Sequence, residues 1–211
     1  FRVTLCDVEA QALERARTRI AVSRRTLESA GLQTHAQSVL GDSLLTTSCS
    51  IEDVAPQSDL IIESVSENLE VKTDVFRQLD RLAPSHAAIV SNTSGLSITS
   101  LATVTNRPTQ VAGFHWFNPA ELVPLVEVTS GSETSPALIE RLMTLARDLG
   151  KQPIHVRRDV PGFVANRLQF AVFREALHLL EEETNPIPIY GQMGKLHPLL
   201  RGSVLEPIMP L

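Results

Sequence analysis

Residues 59–82 read DLIIESVSENLEVKTDVFRQLDRL. The opening part, Asp59 to Val65, is a nearly continuous apolar run of the kind buried on both faces of a parallel sheet. From Asn68 to about Leu82 the pattern becomes helical, so a strand feeds directly into a helix. The same unit lies upstream. Phe1 to Cys6 (FRVTLC) is β-prone and ends at Asp7, after which Leu13, Ala16, Ile20, Leu27 and Ala30 recur at helical spacing until Gly31 stops the helix. Downstream, Ala87–Val90 and Gln110–His115 supply further short strands, with a brief helical piece near Ser97–Ala102. Leu125–Val128 offers another strand, Ser135–Leu149 fits a helix ended by Gly150, and Pro153–Val156 a final strand. Alternation of this kind predicts an α/β fold with a mostly parallel, doubly wound sheet.

At Asp159-Val-Pro-Gly-Phe163 the alternation ends, and one long helical segment runs from about Val164 to Glu183 with no strand after it. A domain boundary is placed just before it, giving an α/β portion over 1–158 and the start of a helical domain over 159–184. From 185 to 211 the sequence carries five of the 13 prolines and no sustained periodicity, so an irregular tail is expected. No internal repeat or low-complexity tract stands out.

A chain of 211 residues with 43% hydrophobic content can bury a full core, which excludes a disordered tail or a minimal scaffold. The net charge of -5 is spread along the sequence with no block of one sign, so neither a nucleic acid nor a membrane surface is expected as a partner. Only Cys6 and Cys49 occur, without CxxC or histidine-rich surroundings, which points away from metal sites and disulfides and toward a reducing, cytoplasmic setting. No apolar run approaches the roughly 20 residues that span a bilayer, and no charged-then-apolar leader opens the chain. A soluble protein is expected.

Five clusters can carry chemistry. Asp7 stands at the carboxyl end of the first strand, where a carboxylate accepts hydrogen bonds from both hydroxyls of an adenosine ribose and repels a 2′-phosphate; it equally caps the next helix. Glu67, Asn68 and Lys72 lie where a strand passes into a helix, the edge at which open α/β folds place ligands, or else form a solvated first helical turn. Ser91-Asn92-Thr93-Ser94-Gly95 puts small polar groups at another strand end, suited to a polar ligand or to an ordinary turn. In Gly113-Phe-His115-Trp-Phe-Asn118-Pro119, a histidine at a strand end is followed twelve residues later by Glu127. A histidine oriented by a carboxylate serves as a general base near neutral pH, as removal of an alcohol proton requires; a histidine among aromatics is also a common core residue. Finally, Asn166 sits one turn inside the apolar face of the helix after Asp159, closing over a site or facing solvent.

Taken in order, Asp7 after its strand, IIESVSENLEVK, SNTSGLSI, GFHWFNPAELVPLVEV and DVPGFVANR resemble the 3-hydroxyacyl-CoA dehydrogenase family over about residues 1–183. The resemblance implies a Rossmann-like NAD-binding domain followed by the first helix of an all-α domain. It implies His115 as general base and Glu127 as its orienting partner, with Ser94 and Asn166 hydrogen-bonding the reacting oxygen or the histidine. Asp7 would hold the adenosine ribose of NAD, Glu67 and Lys72 would line the nicotinamide side of the cleft, and Asn92 joins them as a cofactor residue. Asn118 is a further candidate for the substrate pocket. The implied reaction is reversible oxidation of an L-3-hydroxyacyl thioester, a step of fatty-acid β-oxidation, with hydride passing to NAD and the proton to His115. The small-molecule substrate is an acyl-CoA or, as in relatives acting on L-gulonate or carnitine, a 3-hydroxy acid without coenzyme A. Members are dimers through their helical domain.

The sequence also departs from the family. Members open with a strand and a GxGxxG loop whose amides cradle the pyrophosphate, and neither is present in these 211 residues. The expectation is a parallel sheet with a gap between its halves and weakened or absent NAD binding. The proline-rich tail does not resemble the family's helical domain. A non-catalytic structural or binding remnant of the family is the alternative to an enzyme.

Overall fold

The structure is a computed structural model that describes residues 1–181. The expected tail over 185–211 lies outside the described residues. The chain forms two compact units, one of residues 1–59 and 81–87, the other of 60–80 and 88 onward.

In the first unit, β1 (Val3–Cys6) leads to α1 (Ala10–Ser29), α2 (His35–Ser43), β2 (Leu45–Ser48) and the short helix α3 (Ile51–Val54). Strand β1 pairs in parallel with β2, Cys6 opposite Ser48. The glycine stop after α1 is realised in full: Gly31 adopts φ 69°, its N–H reaches the Glu28 carbonyl, and the Leu32 N–H reaches that of Leu27. Helix α2 and strand β2 fall in a stretch whose apolar spacing predicts nothing. What holds α2 is local: Thr34 accepts from the Gln37 amide while the Gln37 side chain accepts from the Thr34 amide, a reciprocal cap that the T-x-x-Q spacing encodes.

The second unit carries β3 (Leu60–Glu63), α4 (Leu69–Leu82), β4 (Ala88–Ser91), α5 (Ile98–Ala102), β5 (Val111–Trp116), β6 (Leu125–Ser130), α6 (Pro136–Asp148), β7 (Gln152–Val156) and α7 (Ala165–Glu181). Its five-stranded sheet has the order β3-β4-β5-β6-β7, separate from the β1-β2 ladder. The expected α/β class is present. Strands β3, β4 and β5 run parallel, as do β6 and β7, but β5 and β6 are antiparallel. Residues 117–124 are too few for the crossover that a parallel pair needs, roughly a dozen residues or more, so the chain turns back beside itself. Lys151 helps set that turn by donating from Nζ to the carbonyls of Ala120 and Val123.

Because side chains alternate along a strand, the sheet has two distinct faces. Ala112 and Phe114 of β5 and Val126 and Val128 of β6 pack with Leu138, Ile139, Leu142 and Ala146 of α6, all buried. Gly113 and His115, with Glu127 and Thr129, take the other face, where Ile98 of α5 lies against Gly113. One face is therefore core throughout. The other ends in a polar pair.

Among the described residues no helix is long and apolar enough to cross a membrane.

Candidate active site

The antiparallel register sets His115 directly opposite Glu127, so residues twelve apart in sequence become cross-strand neighbours on one face. His115 Nδ1 lies 2.8 Å from Glu127 Oε2, and the glutamate side chain is 0% exposed. An ionised carboxylate only accepts, so Nδ1 carries the proton and Nε2 is left with an open lone pair. The second carboxylate oxygen, Oε1, accepts the N–H groups of Val164 at 3.0 Å and Ala165 at 2.9 Å. These amides are at the start of α7, where unpaired donors and the helix dipole both favour an anion. Burial alone would raise the Glu127 carboxyl, but hydrogen bonds from His115, Ala165 and Val164 hold it below the ordinary glutamate value.

Two consecutive left-handed residues, Gly162 (φ 75°) and Phe163 (φ 48°), aim those amides. For Phe163 the conformation costs on the order of 1–2 kcal/mol. Its fully buried ring compensates, with its centroid 6.1 Å from that of His115, while Phe117 approaches the imidazole at 4.4 Å.

A second polar cluster lies at the carboxyl ends of β3 and β4. Glu67 Oε1 accepts the Thr93 hydroxyl at 2.5 Å, the Ser94 amide at 3.0 Å and the Ser94 hydroxyl at 3.1 Å. Ser94 in turn offers its carbonyl to Asn166 Nδ2 at 2.8 Å. The structure thus brings Ser94, Asn166 and Glu67 together, and ties them to the dyad through the first turn of α7. Asn92 accepts the Trp116 N–H at 2.8 Å on its side-chain oxygen, locking the end of β4 to the strand that carries His115. Asn118 is exposed and precedes a cis proline.

Lys72 departs from the expectation that it lines a cleft. Its side chain is 1% exposed, and its ammonium is taken up by Glu63 at 2.8 Å, the Val65 carbonyl at 3.1 Å and Glu67 at 3.4 Å. A lysine whose donors are spent internally supports the wall rather than forming it. Asp7, in the other unit, is exposed at the end of β1 and accepts the Glu9 N–H at 2.9 Å on Oδ1. The helix-cap alternative is not realised, because α1 is capped at Glu9 with no side-chain hydrogen bond, while the Asp7 carboxylate retains further lone pairs for a ligand.

Sequence reasoning misses three contributors. Glu63, buried and bonded to the Ser91 hydroxyl, signals itself only as a charge inside an apolar strand. Phe163 gives no signal, since nothing in a phenylalanine codes for a left-handed turn. Asp159 stands out in the sequence only as the start of a motif. Its carboxylate accepts the Ser97 hydroxyl and the Ile98 and Thr99 amides, capping α5 and anchoring the segment that leads into α7. Burial raises the Asp159 carboxyl, but those bonds outweigh it and leave it below the ordinary aspartate value. Among the described residues no cluster of three or more His, Cys, Asp or Glu is placed to hold a metal.

Residues 1–160 match the sequence model of the 3-hydroxyacyl-CoA dehydrogenase NAD-binding domain. The chain is 37% identical over 181 residues to 5-formyl-3-hydroxy-2-methylpyridine 4-carboxylate 5-dehydrogenase of Mesorhizobium japonicum, covering 86% of this chain and 58% of that protein. It is 42% identical over 139 residues to the mitochondrial hydroxyacyl-coenzyme A dehydrogenase of Sus scrofa, 66% of this chain and 44% of that one. The crystal structure of (S)-3-hydroxybutyryl-CoA dehydrogenase from Ralstonia eutropha superimposes with a TM-score of 0.86 at 33% identity, over 94% of this chain and 70% of that one. The chain therefore spans about half the length of these two sequence relatives.

Proposed function

Because the chain belongs to the 3-hydroxyacyl-CoA dehydrogenase family, whose matched domain binds NAD, we propose that it interconverts an L-3-hydroxyacyl-CoA and the 3-ketoacyl-CoA. The observation that carries this reading is the buried His115–Glu127 pair, 2.8 Å apart, with Nε2 free to take a proton. On oxidation the hydroxyl proton passes to His115 Nε2 as the carbonyl forms, and the Glu127 carboxylate stabilises the imidazolium. The hydride acceptor for the carbinol carbon would be supplied by NAD when it is bound.

The polar cluster divides the remaining work. One N–H of the Asn166 amide is spent on Ser94, leaving a second to donate to the reacting oxygen and stabilise charge there. The Ser94 hydroxyl gives its proton to Glu67, so in this arrangement it offers lone pairs and turns into a donor only by rotating. Asn118, exposed beside this strand end, borders the substrate. In the second unit, Glu67 and Asn92 stand at the carboxyl edge of the sheet and would receive the nicotinamide end of NAD; in the first unit, Asp7 is an exposed carboxylate that would suit a ribose diol. Residues 1–158 are the NAD-binding portion in this reading, and the segment from Asp159 through α7 begins the helical domain. The two exposed, unbridged cysteines suit a reducing, cytoplasmic setting.

A second reading, dehydrogenation of a 3-hydroxy acid without coenzyme A, draws on the 37% identity to a protein named for a pyridine carboxylate. The test is NADH titration by calorimetry, followed by turnover with acetoacetyl-CoA and, separately, with carnitine or L-gulonate and NAD. Acetoacetyl-CoA reduction that disappears in His115→Ala is expected. Turnover restricted to the free acids moves the assignment to the second reading, and a folded chain that binds NADH yet turns over none of them sinks both.

A further inference from the structure

The Glu63–Lys72 pair is more deeply buried than the dyad and takes no part in the proton transfer. Glu63 is 0% and Lys72 1% exposed at their side chains. Both Glu63 oxygens are engaged: Oε1 accepts the Lys72 ammonium at 2.8 Å and the Val65 N–H at 2.6 Å, and Oε2 the Ser91 hydroxyl at 2.6 Å. Lys72 donates to Glu63 Oε1 and to the Val65 carbonyl, and its charge also lies 3.4 Å from Glu67 Oε2, the one partner of the three that reaches toward solvent. Glu67 is held from its other side by Thr93 and Ser94 through Oε1. Four side chains thus form one line, Glu63 to Lys72 to Glu67 to Ser94, which Asn166 joins at the Ser94 carbonyl.

A buried ion pair is a poor stabiliser, since desolvation of two charges consumes most of their attraction and an apolar pair of the same volume is often as stable. Its value has to come from what it orients. We propose that Glu63 and Lys72 are positioning residues, a buried pair whose ammonium charge fixes the Glu67 carboxylate and through it the Ser94 loop. The assignment of Ser94 and Asn166 to the reacting oxygen rests on the proposed function. The mechanical link from Lys72 to Ser94 does not.

The line also makes chemical sense of the loop. The Thr93 hydroxyl, the Ser94 hydroxyl and the Ser94 amide are all donors aimed at one oxygen, and such a convergence persists only while that oxygen stays negative. Glu67 is 44% exposed at its side chain, so solvent alone leaves it free to swing away. The ammonium beneath it supplies the fixed point.

The test uses the whole chain without ligand, read by NMR for Ser94 amide hydrogen exchange and for Glu67 titration. Three chains are compared: the parent, Lys72→Met, and Lys72→Met combined with Glu63→Gln. Lys72→Met strands a buried carboxylate and lowers the urea midpoint, while the double variant removes that charge and regains at least part of the loss. Positioning predicts that the double variant still exchanges the Ser94 amide roughly tenfold faster than the parent, relative to Val128 in the sheet core, since a hydrogen bond to a charged group is loosened. Its Glu67 midpoint also rises, because the cation has gone. Parent-like exchange and titration in a double variant of restored stability would overturn the proposal. Should neither variant fold, the parent alone decides: the Ser94 amide shift must follow Glu67 protonation, and a shift indifferent to it overturns the link. No readout involves NADH or turnover, so the positioning role stands or falls independently of the dehydrogenase reading.

Discussion

The side-chain amide of Asn166 donates to the main-chain carbonyl of Ser94 at 2.8 Å, joining the loop after β4 to the first turn of α7 across 72 residues of sequence. The same segment is held at two other points. Asp159 grips the start of α5, and the Val164 and Ala165 amides grip Glu127. The general base, its carboxylate and the polar loop are thereby referred to one turn of helix.

Removing that amide tests how much the tie matters. Asn166→Ala is expected to cost about 0.5–1.5 kcal/mol in urea unfolding, the worth of an ordinary hydrogen bond. Turnover should fall by more than this loss of folding accounts for, with NADH affinity little changed. Equal loss of both would make Asn166 a structural residue only.

Glu127→Gln keeps the shape of the dyad and inverts its polarity. The Gln oxygen stays on the Val164 and Ala165 amides, so its NH2 faces His115 Nδ1 and forces the ring proton onto Nε2. The base is then occupied, and kcat should drop about 10²–10⁴-fold. Activity within a few-fold of the parent would show that the pair does not select the tautomer.

Acid should loosen the fold through two depressed carboxylates, Glu127 and Asp159. Burial opposes ionisation in each, but hydrogen bonds to the charged form prevail and set their folded values below the ordinary ones. A depressed folded pKa contributes stability that is complete above the unfolded value, about 4 for these groups, and that is lost as pH falls through the folded value. As far as these two carboxylates contribute, the urea midpoint should not change near neutrality and should decline below roughly pH 4. Asp159→Asn should start lower and decline less, and an undiminished decline would remove Asp159 from the account.

Gly162→Ala probes the turn that aims the α7 amides. An L-residue at φ 75° costs on the order of 1–2 kcal/mol. The added methyl itself meets only ordinary contacts, Arg167 Cγ and Asn166 Cβ at 3.5 Å. A midpoint shift of that size should come with faster exchange at Val164 and Ala165, whereas an unchanged midpoint would mean the turn tolerates a side chain.

Much of the second unit is legible in the residues themselves. Asp59 to Val65 and the stretch to Leu82 announce a buried strand and a helix through their periods, and both appear as β3 and α4. Gly150 ends α6 as its position implies, with its own N–H on Arg147 and that of Lys151 on Ala146. The reversal of β6 is legible too, in the shortness of residues 117–124, though the alternation of strand and helix argues the other way. The Thr34–Gln37 cap is likewise present in the letters, masked by a helix with little apolar periodicity.

By itself the sequence determined most strands and helices outside residues 35–54, because period and capping act between residues a few positions apart. It also placed the histidine at a strand end and the carboxylate twelve residues on, within the next strand. Only the tertiary structure decided that they face each other, since that depends on the register of an antiparallel ladder. It alone decided that Lys72 is interior and that Phe163 turns left-handed. Those outcomes depend on desolvation and on partners brought from far along the chain, and a residue's local pattern carries no record of either.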